Sequence, residues 1–160
     1  MVMMARTSKP ATTARDAALR LLARREHSRW ELAQKLEQRG FSSEDYAPVL
    51  DAMQHEGLLS DARFAAALLR QRSGQGYGER RVQQELEHHR IAPEDQRQAW
   101  AEVESDTLPD WVTQAYAVLC RRHAPGEPLT LQQRAATQRF LLRRGFAPET
   151  VQAAWRRWGQ

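Results

Sequence analysis

Three stretches of the sequence follow one pattern, at offsets of 50 and 55 residues, and this repetition limits the folds open to the chain. They read LEQRGFSSEDYAPVLDAM from position 36, LEHHRIAPEDQRQAWAEV from position 86 and LLRRGFAPETVQAAWRRW from position 141. Tandem repeats explain this agreement better than a chance likeness of amphipathic helices. The aligned residues are Phe41, Ile91 and Phe146; Glu44, Glu94 and Glu149; and the apolar sets Val49/Leu50/Met53, Ala99/Trp100/Val103 and Ala154/Trp155/Trp158.

The first repeat shows how one unit divides into three helices. Ser28 is placed to cap the second helix, and Glu31 stands three residues later, at the spacing of a capping box. Gly40 supplies the left-handed residue that ends this helix, and Ser42 or Ser43 opens the next. Apolar stripes at helical spacing mark the first and third helices: Ala14, Ala18, Leu21 and Leu22, and then Tyr46, Val49, Leu50 and Met53.

We therefore expect an all-α protein of three tandem three-helix repeats forming an elongated, curved helical array. Each unit is too small to build a large core, so neighbouring units must pack against one another. The predicted divisions are a flexible N-terminal tail at 1–13, repeat 1 at 14–58, repeat 2 at 59–106 and a basic repeat 3 at 107–160.

Charge is distributed unevenly along the chain. Arginine supplies 22 of the 24 basic side chains, and there are 20 acidic ones. Residues 107–160 carry 8 basic and 3 acidic side chains, a net of +5. This excess favours a polyanion or an acidic protein face as partner, although codon usage in a GC-rich genome also enriches arginine.

Cysteine and apolar content indicate a soluble, cytoplasmic chain. Cys120 is the single cysteine and cannot form an internal disulfide. No segment approaches the ~20 apolar residues of a membrane span. A sustained heptad pattern is missing as well, so we expect a monomer rather than a coiled-coil dimer.

The glycine-rich stretch RQRSGQGYGERRVQQEL, at 70–86, is predicted to be a connector between two helices of repeat 2. It has neither the G-x-G-x-x-G spacing of a dinucleotide site nor the G-K-[ST] ending of a P-loop. Two interpretations stay open. Tyr77 fills a groove between repeats while the arginines are solvated, or the loop and its arginines contact a partner.

Catalytic and metal-binding constellations are weak or missing, so we expect no enzyme activity and no cofactor. Ser28 beside His27 is better explained as a helix cap than as a nucleophile. His88 and His89 face different directions on a helix, and His55 with Asp51 gives only two ligands.

Three segments resemble the RecX regulatory proteins of bacteria: LARREHSRWELAQKL at 22–36, DARFAAALLRQR at 61–72 and GYGERRVQQEL at 76–86. The resemblance implies binding to the RecA recombinase, particularly its filament on single-stranded DNA. It also implies inhibition of the ATPase, strand-exchange and coprotease activities of RecA, and so modulation of recombination, DNA repair and the SOS response. One departure is Arg90, where family members commonly have glycine, and we expect this helix end to be capped differently.

We expect the curved row of repeats to lie in the groove of the RecA filament. Their charge and their position in the repeats select the residues that would contact RecA or DNA. Weak direct binding to DNA is left open. The candidates are Arg70, Arg72, Tyr77, Arg80 and Arg81 in repeat 2, and Arg121, Arg122, Arg143, Arg144, Arg156 and Arg157 in repeat 3.

Two other classes of protein fit the repeats. The first is a helix-turn-helix-type DNA-binding regulator, although the third helices begin SSEDY, APEDQ and APETV, which are acidic and poor for entering a groove. The second is an adaptor that binds only protein, with no affinity for DNA.

Overall fold

The computed structural model describes residues 11–105 and 110–160, and all regular structure within these ranges is helical. The helices form three sets of three, consistent with the predicted repeats. Most of the predicted tail at 1–13 lies outside the described residues, and the repeat boundaries stay predictions. The helices are α1 (Ala14–Arg24), α2 (Arg29–Gln38) and α3 (Ser43–His55), here called trio 1; α4 (Asp61–Gly74), α5 (Glu79–His88) and α6 (Pro93–Ser105), trio 2; and α7 (Trp111–Arg122), α8 (Leu131–Arg143) and α9 (Pro148–Trp158), trio 3.

The described residues up to Ser60 form one compact unit, and those from Asp61 onward form a second. In the second unit α4 packs on α6 and α7 packs on α9, which gives two clusters of buried side chains. The apolar stripes of the sequence supply these cores, as the helical period requires. Large members include Leu32, Leu36, Leu50 and Met53 in trio 1, Phe64, Leu69 and Leu86 in trio 2, and Leu119, Leu141, Phe146, Trp155 and Trp158 in trio 3.

Short polar side chains start several helices. The Ser28 hydroxyl accepts a hydrogen bond from the Glu31 backbone N–H at 3.0 Å, which confirms Ser28 as the cap of α2. The Glu31 carboxylate, however, bonds to Arg25 and Lys35 rather than serving the predicted capping box. Complete capping boxes start α1 and α8 instead, at Thr13 and Thr130.

The turn after the second helix has one geometry in all three trios. Gly40 and Gly145 are left-handed, with φ of +91° and +92°, and Arg90 takes the equivalent position with φ of +55°. The following residue donates its N–H back to the helix each time, Ile91 to Leu86 at 3.1 Å for instance. The expectation of a different cap at Arg90 is therefore wrong, because this arginine adopts the backbone conformation that glycine favours.

Candidate arginine-rich binding site

The glycine-rich connector of trio 2 packs against the α8–α9 turn of trio 3. The Gly78 N–H donates to the Arg144 carbonyl and the Arg80 N–H to the Gly145 carbonyl, both at 2.8 Å. A Cβ on Gly78 would lie 2.3 Å from the Phe146 nitrogen, which is closer than atoms can approach. Glycine is therefore required here for the contact of two backbones rather than for a nucleotide.

Glu79, the first residue of α5, caps α9 from another trio. Its Oε1 accepts from the Ala147 N–H at 3.0 Å and from the Thr150 hydroxyl at 2.7 Å. Ala147 is the N-cap of α9 and has no side-chain acceptor of its own. A carboxylate at this helix N-terminus also meets the positive end of the helix dipole, so Glu79 fastens trio 2 to trio 3.

Arginines from both trios surround Tyr77 and Phe140. The guanidinium carbons of Arg144 and Arg81 lie 4.5 and 5.0 Å from the centre of the Tyr77 ring, and that of Arg72 lies 6.0 Å away. The guanidinium of Arg122 covers Phe140 at 4.0 Å. We call these four arginines with the two rings the Tyr77–Phe140 cluster. The Tyr77 ring is half-buried between trios, as the first interpretation expects, but arginines gather over it rather than standing in solvent. Contact of the loop and its arginines with a partner stays a prediction.

Positive charge exceeds negative charge in this cluster. Glu85 pairs with Arg72 in two hydrogen bonds of 2.7 and 2.9 Å, and this bonding raises the pKa of Arg72 above its usual value. Arg81 lies 3.9 Å from the same carboxylate. Arg122 is exposed although its guanidinium lies over Phe140, so its N–H groups remain available for phosphate or carboxylate. Arg144 is half-buried, and its Nε is buried without a hydrogen-bond partner.

The other predicted site residues are spread more widely. Arg70 pairs with Glu102 at 3.3 Å, and Arg157 donates to the Thr113 hydroxyl at 3.1 Å while it stacks over Tyr116. Arg121 donates to the Ala117 carbonyl of its own helix at 3.4 Å. The side chains of Arg80, Arg143 and Arg156 are exposed.

Sequence reasoning missed Phe140, Glu79 and Glu85. Phe140 had a detectable signal, because it stands where the aligned repeats carry Lys35 and Glu85. An aromatic residue in place of two charged ones marks a position with a different environment. Glu79 and Glu85 had no such signal, since an acidic residue on an exposed helix usually faces solvent.

One hydrogen-bonded chain has the geometry of a catalytic triad. His123 contacts Glu127 through Nδ1 at 2.9 Å and the Thr137 hydroxyl through Nε2 at 2.8 Å. The Thr137 residue is only 1% exposed, so no substrate carbonyl can reach its hydroxyl. These hydrogen bonds of His123 join the end of α7 to α8 and serve the structure.

Within the described ranges, no group of three or more histidine, cysteine, aspartate or glutamate side chains could hold a metal ion. The same residues contain no helix that is long and apolar enough to cross a membrane.

The described residues form three-helix units, and arginines and aromatic rings line the contact between trios 2 and 3. The protein is therefore of the class of all-helical repeat proteins with an arginine-rich surface. Comparison with family models gives matches to "RecX, first three-helix domain" over residues 14–52 and "RecX, second three-helix domain" over residues 60–99. Relatives named regulatory protein RecX include one from Halorhodospira halophila, 43% identical over 94% of this chain and 91% of the relative. Another, from Pseudomonas putida, is 43% identical over 86% and 85% of the two chains. The chain belongs to the RecX family of regulatory proteins.

Solved structures agree on the fold. The crystal structure of RecX from Lactobacillus salivarius matches with a TM-score of 0.72 at 15% identity, covering 91% of this chain and 94% of that one. A second crystal structure of a regulatory protein RecX matches with a TM-score of 0.68 at 19% identity, covering 87% and 68%.

Proposed function

We propose that this chain binds the RecA recombinase, or its filament on single-stranded DNA, and inhibits the ATPase, strand-exchange and coprotease activities of RecA. In this way it modulates recombination, DNA repair and the SOS response in the cytoplasm. The Tyr77–Phe140 cluster is the observation that carries the proposal, because it gathers four arginines against one carboxylate. Membership of a family named for regulation supports it.

The proposed mechanism is binding without chemistry of its own. The protein acts as a monomer, and its arginines meet acidic RecA surface or the phosphates of the DNA, to which direct binding is weak. If it binds one state of the filament more tightly than the other, the population moves toward that state by the difference in binding free energy. No cofactor is needed for such a shift.

The N–H edges around Tyr77 and Phe140 are the proposed centre of contact. Arg81 and Arg122 have exposed side chains, and Arg144 lies between the two rings, 4.5 Å from Tyr77 and 5.4 Å from Phe140. Arg143 and Arg156 extend the surface along trio 3. Arg70 and Arg72 are paired with carboxylates and are the weaker candidates.

The test is the single-stranded-DNA-dependent ATP hydrolysis of RecA, with this protein titrated from well below one molecule per RecA. We expect inhibition by the wild-type chain, and loss of about tenfold in potency for Arg81→Gln/Arg122→Gln/Arg144→Gln. The matched control is Arg20→Gln/Arg24→Gln/Arg97→Gln, which removes three exposed arginines elsewhere. Helix content and the thermal midpoint of each variant, measured by circular dichroism, show that the fold is kept.

The stoichiometry separates two mechanisms. Inhibition far below one molecule per RecA supports capping or destabilising of filaments, and inhibition only near equal amounts supports occupancy along their length. No inhibition at any ratio contradicts the proposal. Tight binding to one specific duplex sequence would then favour the helix-turn-helix regulator, despite the acidic first turns of α3 and α6.

A further inference from the structure

The middle helix of trio 3 is far more exposed than its counterparts. Ten of the 13 residues of α8 are exposed, against three of the ten in α2 and five of the ten in α5. Leu131, in the extra first turn of α8, is 87% exposed, and Leu142 is 38% exposed. All leucines of α2 and α5 are buried, so the two exposed leucines of α8 form an apolar surface that its counterparts lack and that is available to a partner.

The charge of α8 differs from its counterparts in one direction. Its sequence, LQQRAATQRFLLR, has three arginines and no acidic residue. In contrast, α2 contains two glutamates and α5 contains three. Leu142 stands at the position that Glu37 and Glu87 occupy in the other trios. Compared with α2 and α5, the outer face of α8 therefore has no acidic residue and carries a leucine where they have glutamate.

These side chains line a shallow groove on the protein surface. Its volume is about 480 Å³, and Leu131, Arg134, Ala135, Gln138, Arg139 and Leu142 form its walls. Arg134 and Gln138 also border a second depression that extends to Trp155 and Arg156. The guanidinium carbon of Arg134 lies 4.5 Å from the centre of the Trp155 ring, an attractive cation–π distance, and Arg134 remains exposed to solvent.

We propose that the outer face of α8 docks an acidic amphipathic helix of the protein partner. Leucines at both ends of the groove match apolar side chains at helical spacing, and the arginines between them match carboxylates. A protein segment fits better than nucleic acid, because a leucine side chain offers neither a ring for stacking on bases nor a donor for phosphate. The inference rests on the proposed function in taking RecA as the protein that supplies this segment.

The binding experiment measures the affinity of fluorescently labelled protein for RecA filaments assembled on oligo(dT). We expect Leu131→Gln/Leu142→Glu to bind about tenfold or more weakly, since the contact area of both leucines is lost. The matched control is Leu19→Gln/Leu58→Glu, because these leucines are 37% and 41% exposed on another part of the chain. It should bind within about twofold of the wild type.

Each outcome has one meaning. If the wild-type chain does not bind RecA filaments, the proposed function fails and this inference falls with it. If the wild type binds and the α8 pair binds as well as the control pair, the proposed function stands and the docking face is overturned. Equal loss of affinity for bare oligo(dT) would assign the groove to nucleic acid and also overturn the proposal.

A second measurement guards against misfolding of the double variant. A photo-crosslinking benzoylphenylalanine at position 131 replaces a residue that is almost fully exposed, so the fold is retained. We expect crosslinks to a RecA peptide of net negative charge. Crosslinks to a basic peptide or to the DNA would contradict the proposal.

Discussion

Arg90 shows how a single residue can keep a turn at an energetic cost. Its φ of +55° lies in the left-handed region, where a side chain crowds the backbone and costs about 1 kcal/mol relative to glycine. The two equivalent positions are Gly40 and Gly145, which adopt this region freely. Packing in each trio requires the same left-handed turn, and Arg90 adopts this backbone conformation despite its side chain.

We predict that Arg90→Gly stabilises the protein by about 1 kcal/mol, because it removes the left-handed strain. Urea unfolding followed by circular dichroism measures the change. The control is Gly40→Ala, where an added Cβ has no neighbour within 4 Å and only the backbone conformation is tested. It should destabilise by a similar amount. A loss of stability in Arg90→Gly would show that the strain is not the dominant effect.

Glu31 is the acidic residue with the most strongly shifted titration in trio 1. Burial raises the pKa of its carboxyl, but hydrogen bonds from Arg25 and Lys35 outweigh burial and lower the pKa to about 2. His27 is close by, and its own pKa is lowered chiefly by burial, so the neutral ring lies 3.0 Å from the Lys35 ammonium. The carboxylate therefore stays charged in a partly buried network.

The pKa of Glu31 is lower in the folded state than in the unfolded state, so the free energy of unfolding falls as the pH falls. The contribution of Glu31 is present above pH 4.5, the ordinary value, and is lost as the pH falls toward 2. We predict that Glu31→Gln is less stable than the wild type at pH 7 and that the difference shrinks by pH 2. Urea unfolding at several pH values measures this. The exposed Glu37→Gln is the control, and an equal pH response in both variants would contradict the prediction.

At the scale of helices, the contact of α5 with the α8–α9 turn depends on two glycines. A Cβ on Gly145 would lie 2.5 Å from the Arg81 Cβ, and one on Gly78 would meet the backbone at Phe146. Hydrogen bonds across this contact join trio 2 to trio 3. Here two backbones meet with no space for a side chain.

We predict that Gly78→Ala destabilises the protein by about 2 to 3 kcal/mol, because the methyl group forces the two elements apart. Gly74→Ala is the matched control, since it lies in α4 with no atom within 4 Å of its Cβ. Gly74 is the last residue of α4, where helix propensity counts little, so this substitution should change the stability by less than about 0.5 kcal/mol. The measurement is thermal or urea unfolding, and equal effects of the two substitutions would show that the contact is not tight.

The helices could be predicted from the sequence because periodicity and caps are local signals. Ser28 and Gly40 lie at the helix ends where the pattern placed them. The contacts between trios could not be predicted, because a helical period reports which face is buried and not which partner covers it. Glu79 and Thr150 are 71 residues apart, and nothing in either segment predicts their hydrogen bond.

The sequence predicts which types of residue form the candidate site, but it does not predict how they are arranged. The arginines on both sides of the glycines were recognised from charge, and the structure brings Arg72, Arg81 and Arg144 together around Tyr77. The pairing of Arg72 with Glu85 was not foreseen, because it depends on how α4 lies against α5.

For the whole molecule, charge is concentrated at one end of the sequence. Residues 107–160 carry 8 basic and 3 acidic side chains, while the chain as a whole has a net charge of +4. An exposed surface of this kind attracts an anionic partner through forces that dissolved salt screens.

We predict that inhibition of RecA weakens as KCl rises from about 50 to about 200 mM, because counterions compete for the arginines. The combined variant Arg143→Ala/Arg144→Ala/Arg156→Ala/Arg157→Ala should need more protein for half-maximal inhibition and should show a shallower dependence on salt. The ATPase assay at each salt concentration gives both values. A folded variant that inhibits like the wild type at every salt concentration would show that trio 3 arginines do not contribute.

The left-handed turn at Arg90 also limits how the chain can associate with copies of itself. The amino end of α5 docks on a turn only where glycine leaves room, as Gly145 does in trio 3. The corresponding turn of trio 2 carries an arginine, so α5 of a second molecule would meet a side chain where it needs open backbone. The Arg90 side chain therefore makes this contact selective, because α5 fits the glycine turn of trio 3 and not the arginine turn of trio 2.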